Sequence, residues 1–417
     1  MKRTRTLPKD TFKVKMGDPI MVDQAPSKPD EATPFPVTEG AKAWGRYRMP
    51  KVYRMPDGAM ALTYSMSIDH YYDQGRTSPL FTSTDGGHAW KKAAWPHPGL
   101  ENAMHPVISE VDGGQYYTIT ARNGINVSEH DMPERFDYGV GTMPFSGYRL
   151  ADCPKGVRDW FADLNAMRWV PGDGPDSGWR KERPVWDHEG QFVWAYDDKP
   201  QNIRGEWGQS LYFEHPIIRM GGALYVADYW TTYLRPDGTP PDCWESHLMV
   251  SEDNARTWKR RSVIFSLDVS SCEPALALHG KDELVCVMRA ESRDHNAYPN
   301  NMRITRSTDG GHTWAEPEAV HGYGVFPQLT VLENGIMALS YGRAPGTWLS
   351  FSPDGGRSWS EPAAVLDEAG KASSCGYTSL LPLGANEFII AYGDIHRTDA
   401  EGKERKTILV RHVEVEG

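Results

Sequence analysis

The sequence has little cysteine, and the cysteines it has form no pattern typical of a cross-link. Its 417 residues include five, namely Cys153, Cys243, Cys272, Cys286 and Cys375. The number is odd, the spacing is wide, and no C-x-x-C pair occurs. Neither a disulfide framework nor a cysteine zinc site is expected, and reduced thiols in a cytosolic protein fit this pattern best.

Long apolar runs and excess positive charge are also lacking. No run of 18 apolar residues occurs, and the basic N-terminal segment has no apolar core of a signal peptide. We therefore expect no membrane partner and a cytoplasmic location, or a secreted one if a leader has been removed. Lys and Arg total 45 against 56 for Asp and Glu, a net charge of -11, which argues against nucleic acid as a partner. Any anionic ligand would need a local cluster of positive charge.

Turn formers and large flat side chains are abundant. The chain has 40 Gly, 31 Pro, 15 Trp and 19 Tyr. Short runs rich in β-branched and aromatic residues, such as QYYTIT, ALYVADYW and IMALSYGR, are bounded by Gly, Asp, Asn or Pro. Helical periodicity is scarce, and residues 156–169 are the best candidate. The pattern predicts an all-β chain with one helical excursion.

Nearly the same octapeptide, here called a box, occurs four times between strand-like runs. The boxes are STDGGHAW, SEDNARTW, STDGGHTW and SPDGGRSW, ending at Trp90, Trp258, Trp314 and Trp359. Asp-Gly-Gly supplies the positive φ of a tight hairpin, and the Asp can accept backbone N–H bonds. We interpret each box as a hairpin staple.

The spacing of the boxes predicts a β-propeller. Their aspartates are Asp85, Asp253, Asp309 and Asp354, with gaps of 168, 56 and 45 residues. The last two gaps are the size of one four-stranded blade, and the first leaves room for a blade without a box and an insertion at about 126–205. We predict a single domain over 1–417 with six blades, or seven of roughly even size as the alternative. The C-terminal strand is expected to pair with N-terminal residues.

The boxes resemble the Asp boxes, or BNR repeats, of the sialidase (neuraminidase) superfamily, which follow S-x-D-x-G-x-T-W on a six-bladed propeller. The second box departs from this pattern with Ala255 at a glycine position, and in the first Trp90 follows Ala89 rather than Thr. In that family the boxes lie on the blade periphery. The resemblance therefore implies a fold and leaves the chemistry to other residues.

Three arginines match the places of that family's carboxylate clamp. YRMP, with Arg48, resembles the F/Y-R-I-P signature of the first blade. Arg289 and Arg343 end apolar strands that precede the boxes of Asp309 and Asp354. The resemblance implies that the three converge on the carboxylate of the substrate, a task that suits the planar, always charged guanidinium.

Two further residues resemble the family's nucleophile pair. They are Glu273 in SSCEPALAL and Tyr377 in SSCGYTSLLPL, the Glu acting as base for the Tyr. A neutral tyrosine suits a substrate whose own carboxylate would repel a carboxylate nucleophile. For the general acid/base, spacing favours Asp73, with Asp69 as the alternative and His70 as an outside candidate.

The resemblance implies a retaining exo-glycosidase that removes a terminal α-linked sialic acid or related carboxylated sugar from a glycan, with no metal or other cofactor. One alternative is a propeller hydrolase or lyase for another acidic or deoxy sugar, such as rhamnosyl-glucuronate. A seventh blade or a histidine-centred site would favour it. The other is a non-catalytic glycan-binding propeller, which a missing contact between Glu273 and Tyr377 would favour. The sequence carries no signal for the oligomeric state.

Overall fold

The computed structural model describes most of the chain, and strands dominate it. The described residues are 3–25, 48–65, 78–101, 107–120, 125–140, 143–197, 206–208, 211, 213–230, 232–265, 269–291, 302–320, 324–342, 346–366 and 376–417. Helices within these ranges are short, with α-helices at Pro98–Glu101 and Lys155–Ala162 and 3₁₀ turns at Asp112–Gly114, Val127–Glu129 and Leu150–Asp152. The all-β prediction is confirmed. No described helix has the length and apolarity needed to span a membrane.

Within the described residues, six sheets of mainly antiparallel strands share one plan, and we label them A to F in chain order. Sheet A consists of Arg48–Arg54, Met60–Ser65, Leu80–Ser83 and Lys91–Ala93. Sheet B consists of Ser109–Glu110, Tyr116–Thr120, Asn165–Val170 and Gly178–Glu182. Sheet C consists of Ile218–Met220, Ala223–Asp228, Ser246–Ser251 and Thr257–Phe265, with Val185–Trp186 added in parallel to its last strand.

The last three sheets repeat this plan. Sheet D consists of Ser270–His279, Glu283–Glu291, Met302–Ser307 and Glu318–Ala319. Sheet E consists of Val325–Val331, Met337–Gly342, Thr347–Ser352 and Ala363–Leu366. Sheet F consists of Thr378–Pro382, Glu387–Thr398 and Glu404–Glu416.

The two ends of the chain meet in sheet F. The C-terminal strand Glu404–Glu416 pairs antiparallel with both Lys13–Met16 and Ile20–Gln24. The predicted pairing of the C-terminal strand with N-terminal residues is thereby confirmed. A further N-terminal strand, Arg5–Thr6, pairs in parallel with the short strand Ser358–Trp359 in the last box.

Buried apolar clusters pack each sheet against the next. They join A to B, B to C, C to D, D to E and E to F. A sixth cluster joins F back to A, with Ile389 and Ala391 of F against Leu62 and Phe81 of A. The packing order is therefore cyclic. Burial of large side chains of this kind stabilises the folded state by about 1.5–3 kcal/mol each.

The segment predicted as an insertion contributes strands to three sheets, one of them Val185–Trp186 in sheet C. The third and fourth strands of sheet B, Asn165–Val170 and Gly178–Glu182, lie within this segment. The rest forms most of a separate five-stranded sheet, in the spatial order Ile125–Asn126, Glu206–Gly208, Phe192–Asp197, Met143–Arg149 and Phe136–Val140. Residues 126–205 thus complete sheet B as well as adding new structure between sheets B and C.

The helix predicted over 156–169 forms only in its first half. Lys155–Ala162 is helical and buries Val157 and Phe161, which lie four residues apart on one face. Beyond it, Asn165–Val170 is a strand held between two neighbours in sheet B. Tertiary pairing therefore overrides the helical periodicity of the second half.

The boxes are hairpin turns between the third and fourth strands of sheets A, C, D and E, on the side away from each first strand. In the last box Ser352 Oγ donates to Asp354 Oδ1 at 2.9 Å, and Ser358 N donates to the same oxygen at 2.8 Å. Trp359 is fully buried, and its Nε1 donates to the carbonyl of Gly356 at 3.0 Å. These bonds bear out the hairpin-staple interpretation. Gly356 has φ +79°, and a Cβ there would lie 2.4 Å from Ile304 Cδ1.

The variant Asp354→Ala is expected to lower the free energy of unfolding by about 1–3 kcal/mol at pH 7. It leaves Ser358 N and the hydroxyls of Ser352 and Ser358 without their acceptor. Burial raises the pKa of Asp354, but hydrogen bonds from Ser358 and Ser352 outweigh burial and lower it overall. A group with a lowered pKa stabilises above its ordinary value, so the loss is expected to shrink below about pH 4. Urea unfolding measures this. The exposed Asp282→Ala is the matched control, and equal stability of the two variants would refute the staple interpretation.

Candidate functional site

Four residues from sheets D, E and F meet in what we call the central site: Glu273, Arg289, Phe326 and Tyr377. Tyr377 O–H donates to Glu273 Oε1 at 2.5 Å, and the backbone N–H of Phe326 donates to Glu273 Oε2 at 2.8 Å. Arg289 Nη1 lies 3.3 Å from Oε1 and 3.4 Å from Oε2. The side chains of Glu273 and Arg289 are only 6% and 12% exposed. Three donors from three directions hold this carboxylate in one orientation.

Register shifts at the start of three strands orient the residues of the site. The first strands of sheets A, D and E each shift register near their beginning, at Arg48/Lys51, Cys272/Ala275 and Val325/Gln328. Within each shift one residue has positive φ: Met49 at 57°, Glu273 at 53° and Phe326 at 47°. Bulges redirect a side chain out of the regular alternation, and such strained conformations concentrate at functional sites.

A second group of polar residues, here called the adjoining cluster, reaches Phe326 through Lys51 and His215. It consists of Lys51, Glu214, His215, Tyr229 and Gln328. Lys51 Nζ lies 3.9 Å from the centroid of the Phe326 ring and donates to the main-chain carbonyl of Glu214 at 2.7 Å. The His215 ring also stacks on the Phe326 ring, with 4.9 Å between the two centroids. Sheets A and E, and the segments that flank the first two strands of sheet C, thus contribute polar side chains beside the central site.

The protonation of His215 follows from its partners. Burial lowers the pKa of His215 well below its ordinary value, and the nearby Lys51 charge lowers it further. Gln328 Nε2 lies 3.1 Å from His215 Nδ1, so the amide donates and the proton of the neutral ring sits on Nε2. His215 is therefore a neutral hydrogen-bonding group near pH 7.

Glu214 is a partly exposed residue whose Oε2 atom is buried, and its proton affinity is altered. Burial raises its pKa to about 7, and the charge of Glu273 raises it as well, whereas Lys51 and a hydrogen bond from Tyr229 act in the opposite direction. Burial likewise raises the pKa of Tyr229 well above its ordinary value, and the charges of Glu214 and Glu273 add to that effect. A carboxyl group that titrates near neutrality is typical of functional sites.

The structure brings together three of the predicted site residues: Glu273, Arg289 and Tyr377. Arg48 begins the first strand of sheet A, and only its backbone belongs to the described part of the structure. The remaining predicted residues, Asp69, Asp73 and Arg343, lie outside the described residues, as does His70. Their roles stay predictions.

The sequence reasoning missed the adjoining cluster, although one sequence signal marks its surroundings. Four X-Pro pairs stand at or just before the first strands of sheets A, C, D and E, namely Met49-Pro50, His215-Pro216, Glu273-Pro274 and Phe326-Pro327. The family resemblance marks Glu273 in one of these pairs and Arg48 beside another. Aligning all four would have pointed to Glu214, His215 and Phe326.

The described part of the chain contains free cysteines and no grouped metal ligands. All four described cysteines, Cys153, Cys243, Cys272 and Cys286, are free thiols. Within the described ranges no three histidine, cysteine, aspartate or glutamate side chains are grouped so that they could hold a metal ion.

One known protein family is similar to the part of the chain that holds the central site. The sequence profile of the BNR repeat-like domain family matches residues 214–396. Over this segment the chain is similar to that family. The match spans the later three boxes together with Glu273, Arg289 and Tyr377. The BNR-repeat resemblance inferred from the boxes is confirmed over this segment.

Solved structures share the fold of this chain. A protein of unknown function from Dyadobacter fermentans is similar over 97% of this chain and 99% of its own, with a TM-score of 0.63 and 16% identity. The α-L-arabinanase of Penicillium chrysogenum, complexed with arabinobiose, is similar over 95% of this chain and 98% of its own, with a TM-score of 0.51 and 12% identity. A variant of the NanB sialidase from Streptococcus pneumoniae has a TM-score of 0.49 and 12% identity over 93% of this chain and 71% of its own. A search of curated proteins finds no match.

Proposed function

We propose that this chain is a retaining exo-glycosidase that hydrolyses a terminal α-linked sialic acid or related carboxylated sugar, on a propeller whose six blades are sheets A to F. The contact that carries this proposal is Tyr377 O–H on Glu273 Oε1 at 2.5 Å, made between sheets F and D. A nucleophile within hydrogen-bond reach of a base that other groups hold in place is the signature of covalent catalysis. The cyclic packing of the sheets supports the blade count.

In the proposed reaction the Tyr377 oxygen attacks the anomeric carbon while its proton passes to Glu273. A carboxylic acid, predicted to be Asp73 with Asp69 as the alternative, protonates the leaving oxygen and then activates the water that releases the sugar. Arg289 is charged, lies against Glu273 and is 12% exposed. With Arg48 and Arg343 it would hold the substrate carboxylate.

A second candidate function is hydrolysis or lyase cleavage of another acidic or deoxy sugar, such as rhamnosyl-glucuronate. His215, buried in the adjoining cluster against Phe326, is the observation that favours it. Its Nε2 proton makes it a hydrogen-bond donor that the sialidase resemblance does not call for. The α-L-arabinanase of the same fold shows that other sugars are worth including in an assay. The non-catalytic alternative called for a missing contact between Glu273 and Tyr377, and that contact is present.

Turnover of a glycoside panel tests the proposed function. We expect release of 4-methylumbelliferone from its α-sialoside, and we expect proton NMR to show that the first sugar product keeps the α configuration, because two displacements give net retention. The panel includes uronates, rhamnosides and arabinosides. Turnover confined to those sugars, or an unsaturated product, would favour the second candidate. An absence of turnover across the panel would favour glycan binding without catalysis.

A further inference from the structure

Phe326 contacts both members of the proposed nucleophile pair. Its backbone N–H donates to Glu273 Oε2 at 2.8 Å. Its ring packs against the Tyr377 ring, with 4.5 Å between the centroids and 34° between the ring planes. The base is thus held through the main chain of Phe326, and the nucleophile rests on its side chain. The position of Glu273 relative to Tyr377 therefore depends on where this one residue lies.

The backbone of Phe326 departs from the regular ladder of sheet E. The pairing of its strand shifts register between Val325 and Gln328, where one extra residue is accommodated. Phe326 has φ +47°, a conformation that glycine adopts easily and that is an outlier for a bulky side chain. Strained conformations of this kind persist only where the surrounding structure holds them. A large aromatic residue at such a position indicates that its ring is needed there.

The Phe326 ring is itself held by residues of the adjoining cluster. Lys51 Nζ lies 3.9 Å from the ring centroid, and the His215 ring stacks on it with 23° between the planes. Lys51 also donates to the main-chain carbonyl of Glu214, and His215 Nδ1 lies 3.1 Å from Gln328 Nε2. An ammonium group over an aromatic face attracts the ring, and it does so more strongly where water is excluded. Groups from sheet A and from the segment before the first strand of sheet C therefore fix this ring.

We propose that Phe326 is a positioning residue that sets the distance between the Tyr377 oxygen and Glu273, with Lys51 and His215 holding its ring in place. The inference rests on the proposed glycosidase function, because that reaction passes the Tyr377 proton to Glu273. Phe326 exchanges no atom in the reaction. It is only 2% exposed, so its ring is closed to substrate. Its effect is therefore expected in kcat and in the hydrogen bond of the pair, and not in KM.

The variant Phe326→Leu tests the proposal in the whole chain. Leucine keeps the backbone N–H but lacks the flat ring, so Tyr377 loses the surface on which it packs. We expect kcat to fall by about 100-fold, because a displacement of about 1 Å can cost a reaction that factor. We expect KM to stay within about twofold of the wild-type value. Initial rates on the glycoside that the wild type hydrolyses best measure both constants.

Phe351→Leu is the matched control for that variant. Phe351 is a buried aromatic residue of the same sheet, and it packs against Phe12 and Phe388 in the core between sheets E and F. Both variants remove the same atoms from a packed interior, so their unfolding temperatures are expected to fall by similar amounts. Phe351→Leu is expected to keep the wild-type kcat. An equal loss of kcat in the two variants would show that Phe326 only stabilises the fold, and would overturn the proposal.

Lys51→Met is a second test, which leaves the Phe326 side chain intact. Methionine removes the charge over the ring and keeps a flexible, unbranched side chain. We expect kcat to fall about tenfold, and we expect Lys51→Arg to recover most of it, since a guanidinium group also stacks on an aromatic face and donates hydrogen bonds. A wild-type kcat in Lys51→Met would overturn the role of Lys51 as an anchor of the ring.

The distance between the Tyr377 oxygen and Glu273 Oε1 is a readout that needs no substrate. It is 2.5 Å in the wild type. Crystal structures of Phe326→Leu are expected to show it lengthened beyond about 3.2 Å, outside hydrogen-bond range, whereas Phe351→Leu keeps the wild-type distance. An unchanged distance in Phe326→Leu would overturn the inference whatever the activity. A lengthened distance in Phe326→Leu, together with a wild type that is inactive on every glycoside, would support the positioning role and count against the proposed function.

Discussion

Tyr377→Phe is expected to lower kcat/KM by about 10⁴-fold, equivalent to about 5 kcal/mol of transition-state stabilisation. The substitution removes the oxygen that attacks in the proposed reaction and that donates to Glu273 Oε1 at 2.5 Å. It keeps the aromatic ring, which packs against Phe326 with 4.5 Å between centroids. The site is therefore expected to keep its shape and lose its nucleophile. Initial rates on the glycoside that the wild type hydrolyses best measure the effect.

Tyr117→Phe is the matched control for that variant. Tyr117 is a fully buried tyrosine in the second strand of sheet B, in the core that packs sheets B and C. Loss of the Tyr117 hydroxyl tests the general effect of removing a buried hydroxyl group. Activity near the wild-type level is expected. If Tyr377→Phe kept more than about a tenth of the activity, a covalent tyrosine intermediate would be excluded, because loss of a covalent nucleophile costs far more than tenfold. Glu273 would then be the group to test as the direct nucleophile.

The fold was predictable where the deciding interactions are local in sequence. A box contains its own acceptor, its own donors and its own positive-φ positions within eight residues, as in the bonds among Ser307, Asp309 and Thr313. Even the departing box keeps this geometry, because Ala255 adopts φ +65° and its N–H donates to Ser251 Oγ at 2.8 Å. Four such turns fix the position of four hairpins. That is sufficient to predict an all-β repeat architecture.

Local sequence does not predict a strand whose partners lie far away along the chain. Residues 165–170 carry part of a helical pattern, yet they form a strand because Tyr116–Thr120 and Gly178–Glu182 flank them. The predicted insertion likewise contains two sheet B strands, which composition alone could not separate from new structure. Strand identity in this region depends on neighbours contributed from elsewhere in the chain.

The residues of the site also differ in whether local sequence could predict them. Glu273, Arg289 and Tyr377 could be named because each sits in a motif that a family resemblance marks, and the structure places them in contact. The adjoining cluster has no such motif. Lys51 lies 163 residues from Glu214, and Gln328 lies 113 from His215. Only the packing of sheets A, C and E brings these side chains together, so their roles follow from three-dimensional structure.

The variant Gly342→Ala is expected to lower the free energy of unfolding by about 3 kcal/mol and to lower kcat/KM by about 100-fold. Gly342 ends the second strand of sheet E, and a Cβ there would lie 2.2 Å from the carbonyl oxygen of Gly376 and 2.3 Å from its Cα. These are backbone atoms, which cannot rotate away as a side chain could. Gly376 directly precedes Tyr377, so relief of the clash moves the Tyr377 oxygen away from Glu273. Thermal unfolding and initial rates measure the two effects separately.

Gly384→Ala is the matched control, because a Cβ on Gly384 would meet no atom within 4 Å and its φ is outside the left-handed region. That variant is expected to keep wild-type stability and activity. The activity loss of Gly342→Ala should persist well below its unfolding temperature, since displaced residues and unfolded molecules reduce the rate in different ways. A loss that tracked the unfolded fraction alone would show that Tyr377 tolerates movement of its strand. Full activity and stability together would show that the close approach of Gly342 to Gly376 is relieved without moving the site. Either outcome would count against the prediction, because the proposed mechanism depends on Tyr377 and Glu273 keeping their hydrogen-bond distance.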